Sequence, residues 1–221
     1  MLLWKRSDER NSYLVKKGAT EMTMTSPGRV PMVMPADHMP GPGQGHWTYK
    51  DYAALSDDGH RYEIVDGVLY MAPSPNRSHQ NAALEIASYL RMHVKMTGLG
   101  QVFIAPFDVE LNHRTVVQPD VIVVLNPNLH IITESHIIGA PDLVVDISSP
   151  GTVGYDREKK QHAYARAGVP EYWIADPWSR TVEVLTLEEG GYRSLGVFEG
   201  QAVLPSEVVP DFLVHVEQFF A

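Results

Sequence analysis

The sequence predicts an α/β fold, of the mixed-sheet α+β kind, in which helices flank a central mixed β-sheet. Three observations point to it. Runs such as "VIVVL" at 121–125 and "LVV" at 143–145 are apolar at consecutive positions, as in strands covered on both faces. Two stretches with helical character interrupt the strand-like runs, so helices and strands interleave along the chain. A length of 221 residues with 44% hydrophobic content suffices for one well-buried domain with an appendage and falls short of two full domains.

Residues 1–45 stand apart from the rest. "TMTSPGRVPMVMPADHMPGPGQG" is rich in Pro, Gly and Met and has neither a period of two nor one of 3.6, so an irregular or disordered extension is expected there. Met22 and Met24 leave open a natural start further downstream. The folded domain is expected over residues 46–221. "TYKDYAAL" is a short helix candidate with Thr48 as its N-cap. In "HRYEIVDGVLYMAP", Asp66-Gly67 separates two apolar runs and signals a two-residue hairpin turn. "SHQNAALEIASYLRMHVKM" sets Ala83, Ile86, Ala87, Leu90 and Val94 on one helical face, and Gly98 closes it.

The middle of the chain is strand-like: "QVFIAPFDVEL", "PDVIVVL" and "PDLVVDIS". "YDREKKQHAYARAG" reads as a helix closed by Gly168, after which "PEYWIADP" and "TVEVLTL" return to strand. "FLVHVEQFF" near the C-terminus suggests one more strand and a short helix packed on the core.

Composition narrows the function. Cysteine is absent, which excludes disulfides, thiolate metal sites and a cysteine nucleophile and fits a reducing compartment. The longest apolar runs fall far short of the ~20 residues of a spanning helix, and the N-terminus has no apolar core of a signal peptide, so a soluble, cytoplasmic protein with no membrane partner is expected. The net charge of −9 disfavours tight non-specific DNA binding by a monomer. It leaves room for a carboxylate-rich, metal-dependent enzyme, because a bound divalent cation changes the local field.

Three carboxylates sit where a buried sheet should be apolar: Glu63 in the first hairpin strand, Asp120 at the head of "PDVIVV" and Asp146 near the end of "DLVVDIS". Each has a plain reading. Asp120 and Asp146 can cap turns, Glu63 can be an exposed cross-strand residue, and Lys160 can be a solvated helix residue paired with Asp156 one turn earlier. Together, three strand carboxylates and a following lysine suit a hard cation such as Mg²⁺, which takes carboxylate oxygens and keeps waters. His79, in "RSHQ" at a helix start, either lies near such a site or caps the helix.

The combination of "RYEIVDGVLYM", "SHQ", "QPDVIVV", "PDLVVDISSPGT" and "DREKKQHAYARAGVPEYWIADP" resembles the Uma-type restriction-endonuclease-like family, a bacterial branch of the PD-(D/E)xK nuclease superfamily. The likeness runs from about Trp47 to the C-terminus. It implies a restriction-endonuclease-like core and a Mg²⁺- or Mn²⁺-dependent endonuclease acting on nucleic acid, DNA above all. It also implies a homodimer, since double-strand cleavage in this superfamily often pairs two sites.

Carried over to this chain, Pro119-Asp120 matches the signature "PD" and makes Asp120 a metal ligand. Asp146 is then the second ligand, with the Ile147 carbonyl beside it. The signature lysine belongs two residues later, where this chain has Ser148; the resemblance moves that role to Lys160, four residues before Tyr164. Glu63 matches the acidic residue of the superfamily's first helix, although here it sits in a hairpin strand. The resemblance implies Glu at this place in many relatives, one methylene longer than Asp146. Lys159 points about 100° away from Lys160 on a helix, so only one of the two can face the sheet.

Other chemistries lack their motifs. There is no His-Glu-x-x-His pattern and no Gly-x-Ser-x-Gly elbow, and "GLG" at 98–100 precedes a strand where a dinucleotide loop would follow one. Tyr172 and Trp173 read as core. The competing expectation is a nuclease-fold domain without cleavage activity that binds nucleic acid or serves assembly, which the acidic charge favours.

Overall fold

A computed structural model of the chain describes residues 32–221. Residues 1–31 of the expected extension lie outside the described residues. Residues 32–46 lie against the domain: Ala36 is buried, and Gly41 sits so close to the Trp47 ring that a Cβ there would overlap it.

The elements in chain order are β1 (Met34–Pro35), α1 (Tyr49–Ala53), β2 (Arg61–Val65), β3 (Val68–Ala72), α2 (Arg77–Thr97), β4 (Gly100–Ile104), β5 (Asp108–Asn112), β6 (Thr115–Val117) and β7 (Val121–Leu125). After a 3₁₀ turn (Asn126–Ile131) come β8 (His136–Ile138), β9 (Leu143–Ile147) and α3 (Val153–Tyr155). A π-helical turn (Asp156–Lys160) continues directly into α4 (Gln161–Ala167). β10 (Glu171–Asp176), β11 (Thr181–Glu188), β12 (Gly191–Glu199) and a 3₁₀ turn (Val216–Phe220) complete the chain.

The class is mixed α/β, and the strands divide between two six-stranded sheets where the sequence suggested one. The first has the order β1-β3-β2-β6-β5-β8 and the second β12-β11-β10-β9-β7-β4. Both are mixed: β5 and β8 run parallel in the first, β9 and β10 in the second, and the remaining pairs are antiparallel. The run "QVFIAPFDVEL" feeds both sheets. Pro106, which has no N–H to give a ladder, stands between β4 in the second sheet and β5 in the first.

Alternation along the strands explains the layers. Val121, Val123, Leu143, Val145, Trp173 and Ala175 face α2 and the C-terminal segment, forming one core. The alternate residues Ile122, Val124, Val144, Tyr172 and Ile174 face the first sheet and α4, forming a second core with Val65, Val109, Val117 and Tyr164. On the far side of the first sheet, Ile64 and Val116 pack with Trp47 in a third.

Local signals explain most elements. α2 begins at Asn76, whose Oδ1 accepts the His79 N–H, and ends at Gly98 in the left-handed region at φ 67°. Its buried face is Ala82, Ile86, Ala87, Leu90 and Val94, so Ala82 occupies the place expected for Ala83, which lies half-buried on the flank. Thr48 caps α1 through a capping box with Asp51. The β2–β3 hairpin turns on Asp66 (φ 54°) and Gly67 (φ 78°), the positive-φ pair of a type I′ turn.

Candidate active site

Two strands aim acids into the space between the sheets. In β2, Tyr62 and Ile64 belong to the outer core, so Glu63 points inward with Val65. In β9, Val145 and Ile147 face α2, so Asp146 shares the inward face with Val144. Asp120 precedes β7 by one residue; since Val121 pairs with Val145 in antiparallel register, Asp120 lies level with Asp146. The helix of α3, the π turn and α4 closes this end of the space and brings in Lys160.

The side chains meet there. Lys160 Nζ donates to Asp146 Oδ1 at 2.7 Å and to Glu63 Oε1 at 3.2 Å. Asp146 Oδ2 accepts from Tyr164 Oη at 3.1 Å and Tyr172 Oη at 3.0 Å. Asp120 Oδ2 accepts the Ile147 N–H at 2.7 Å and lies 3.3 Å from His79 Nε2. These bonds fall on Oδ2 and leave Asp120 Oδ1 for another partner. Glu63 Oε1 also accepts the Gln118 N–H at 2.8 Å. Glu63, His79, Asp120, Asp146, Ile147 and Lys160 all line one cavity of about 180 Å³. Lys159 is exposed, and Ser148 is buried next to the cavity's wall.

His79 therefore combines its two sequence readings: its backbone N–H is capped by Asn76 while its ring reaches Asp120. Asp156 departs from the expected pairing with Lys160, which instead bonds Asp146 and Glu63. The i→i+5 bond from the Gln161 N–H to the Asp156 carbonyl widens the turn that carries both residues. Asp156 lines the same cavity, and its Oδ2 and the Tyr155 Oη are buried without hydrogen-bond partners.

Electrostatics sort these groups. Burial pushes the Asp146 carboxyl up, Lys160 opposes that, and the charges of Asp120 and Glu63 add to it, so it stands above the ordinary carboxylate range. Asp156 is raised further, by burial and then by Asp146. Burial also acts to raise Asp120, but the hydrogen bond and charge of His79, with Lys160 and the Ile147 N–H, outweigh it and hold Asp120 below its ordinary range. Burial favours a neutral Lys160, and Asp146 and Glu63 overcome it, so the ammonium holds its proton well above the usual lysine range. Lys160 is thus placed as a cation and a hydrogen-bond donor. Four buried carboxyls share the pocket with one buried lysine, with Arg61 and His79 also at its wall, a crowding of acids that burial makes costly.

Sequence reading alone did not find Gln118, Tyr155 or the part played by Tyr172. Gln118 carries no motif, yet it bonds Glu63 through its N–H and Arg61, Tyr52 and Asp108 through its side chain. For Tyr172 a signal existed: a hydroxyl within the buried run "EYWIAD" needs an acceptor, and alternation puts it on the face of Ile174 and of Asp146.

The comparisons with known proteins agree with this architecture. Among solved structures the chain is similar to that of "a putative nuclease belonging to DUF820" from Anabaena variabilis ATCC 29413, at a TM-score of 0.65 and 19% identity, covering 78% of this chain and 97% of that one. At that identity the likeness is one of fold. No curated protein matches the chain. The Uma2 family, described as "Putative restriction endonuclease", matches residues 49–217, from α1 to the final 3₁₀ turn. Over that span the chain belongs to the Uma2 family of restriction-endonuclease-like proteins.

Proposed function

We propose that this protein is a Mg²⁺- or Mn²⁺-dependent endonuclease that hydrolyses phosphodiester bonds, with DNA as its substrate. The observation that carries the reading is the single pocket in which Asp120 and Asp146 lie level on adjacent chain segments, with Lys160 bonded to Asp146. The donor set fits a hard cation. Asp120 Oδ1 and Asp146 Oδ1, the latter with a lone pair left beside Lys160, are carboxylate oxygens, and the Ile147 carbonyl is the third candidate ligand. Among the described residues no three His, Asp or Glu side chains form a preassembled metal cluster, and an ion held by two carboxylates, water and substrate phosphate needs none. Bound there, the ion would neutralise phosphoryl charge and make a water more acidic.

The chain's own residues do the rest. Glu63 and Asp146 hold the Lys160 ammonium charged and oriented, so it can donate to the attacking water or to the phosphate. Tyr164 and Tyr172 fix the Asp146 carboxylate, and His79 and the Ile147 N–H fix that of Asp120. Two such pockets in a homodimer would cut both strands of a duplex. The lack of cysteine supports work in the reducing cytoplasm, and no helix among the described residues is long and apolar enough to cross a membrane.

A second reading, a silent nuclease-fold module, has its own support: Asp146 already accepts three hydrogen bonds, and the net charge is −9. Calorimetry and a cleavage panel separate the two. The enzyme reading expects Mn²⁺ binding that weakens at least tenfold in Asp120→Ala, and cutting of at least one of single-stranded, double-stranded or branched DNA or RNA. Mn²⁺ binding without any cutting assigns the silent module. No Mn²⁺ binding overturns the metal site.

A further inference from the structure

A second cavity, of about 520 Å³, opens beside the acidic pocket and shares Arg61, Pro75, His79 and Asp120 with it. Its size falls within the ~300–1,000 Å³ of small-molecule sites. Its walls differ sharply from those of the first cavity. They include Leu84 from α2, Ile104 from the end of β4 and Pro106, and Leu84 and Ile104, 60% and 56% exposed, meet at this one cavity. Arg61 and Arg77 stand at the same cavity.

What sets those two arginines apart is their place, beside the acidic pocket and, among the described residues, free of carboxylate partners. Arg157, Arg166 and Arg193 are each paired with a carboxylate, namely Glu183, Asp66 and Glu188. Among the described residues neither Arg61 nor Arg77 has such a partner, and Arg61 is held in place by Gln118, through its side-chain Oε1 and its backbone carbonyl. Apolar walls with two carboxylate-free guanidinium groups, ending at the proposed metal ligand Asp120, match a flat aromatic base attached to a phosphodiester.

We propose that this cavity takes an unpaired nucleotide adjoining the scissile phosphate, its base against Leu84, Ile104 and Pro106 and its phosphate on Arg77 and Arg61. The substrate of this site is therefore single-stranded or frayed nucleic acid in preference to continuous duplex. A duplex keeps its bases stacked inside and would have to extrude one to fill the cavity. This inference rests on the nuclease reading of the neighbouring pocket.

The test is fluorescence anisotropy with labelled oligodeoxynucleotides, with Ca²⁺ in place of Mg²⁺ and strand integrity checked on gels. The full-length protein should bind a 12-nucleotide single strand, or a duplex carrying a single-stranded overhang, at least tenfold more tightly than a blunt duplex. Leu84→Glu and Ile104→Glu, both at exposed positions that do not threaten the core, should each weaken single-strand binding at least tenfold. Arg77→Ala should weaken it and lower the salt dependence by about one counterion. Met96→Glu, on an 81% exposed residue about 18 Å further along α2, should change nothing.

Blunt duplex bound as tightly as single strand overturns the inference, as do Leu84→Glu and Ile104→Glu proteins that bind like the parent. So does an effect of these changes on self-association in sedimentation in place of oligonucleotide affinity, which would make the cavity a contact between copies. In those cases Mn²⁺ binding and cleavage by the parent protein still stand. A protein that binds no nucleic acid in any form takes the nuclease reading down as well.

Discussion

Asp146 is the residue on which the site turns. A carboxylate buried to 2% exposure in a strand is tolerable only because Lys160, Tyr164 and Tyr172 all donate to it. Removing the cation while leaving the acids is the severe change. Lys160→Met should cost about 3–5 kcal/mol of stability in urea unfolding, because Asp146 and Glu63 remain buried without their counter-charge, and should abolish cleavage.

Asp156 gives the opposite sign. Its folded carboxyl is raised well above 3.8, so the fold prefers it protonated, and holding it costs stability increasingly as pH rises through and above 3.8. Asp156→Asn removes that cost. In metal-free protein its melting temperature should exceed that of the parent at pH 7 to 8, and the difference should vanish below pH 3.8, as thermal melts across pH will read. Glu63, Asp120, Asp146 and Lys160 were legible in the sequence because charge in a strand pattern, or ordered motifs, singles them out. Tyr155 and Gln118 were not, since neither breaks a pattern; only folding brings them to Glu63 and the cavity.

At the scale of elements, the sequence speaks clearly wherever a local rule is strong. The Asn76 cap, the apolar stripe and Gly98 delimit α2, and Asp66-Gly67 makes the hairpin that carries Glu63. The three-residue strands β6 and β8 escape because a period of two has too little length to register. The π turn escapes because sequence spacing does not distinguish an i+4 bond from an i+5 bond. α2 holds its place by packing more than by intrinsic preference. Leu90 is fully buried on its core face, so Leu90→Ala should destabilise by about 2–5 kcal/mol in thermal or denaturant unfolding, leaving the ligand residues chemically intact.

At the scale of the whole molecule, periodicity tells which residues are buried but not against what. The two-sheet arrangement was therefore not legible, although every strand of the second sheet except β12 lay in a run marked in the sequence. The inter-sheet space follows from that arrangement, and with it the meeting of Glu63 from one sheet with Asp146 from the other across Lys160. Net charge misleads in the same way: −9 describes the total, while Arg61 and Arg77 stand together at one cavity next to the acids.

The proposed nuclease depends on Asp120 and Asp146 binding a divalent cation together. A crystal soaked in Mn²⁺ and measured for anomalous scattering tests it most directly. One strong peak is expected between the two carboxylates, with an oxygen of each at about 2.1 Å and the remaining positions filled mainly by water. A peak that touches only one of them, or no peak in this pocket at saturating Mn²⁺, contradicts it.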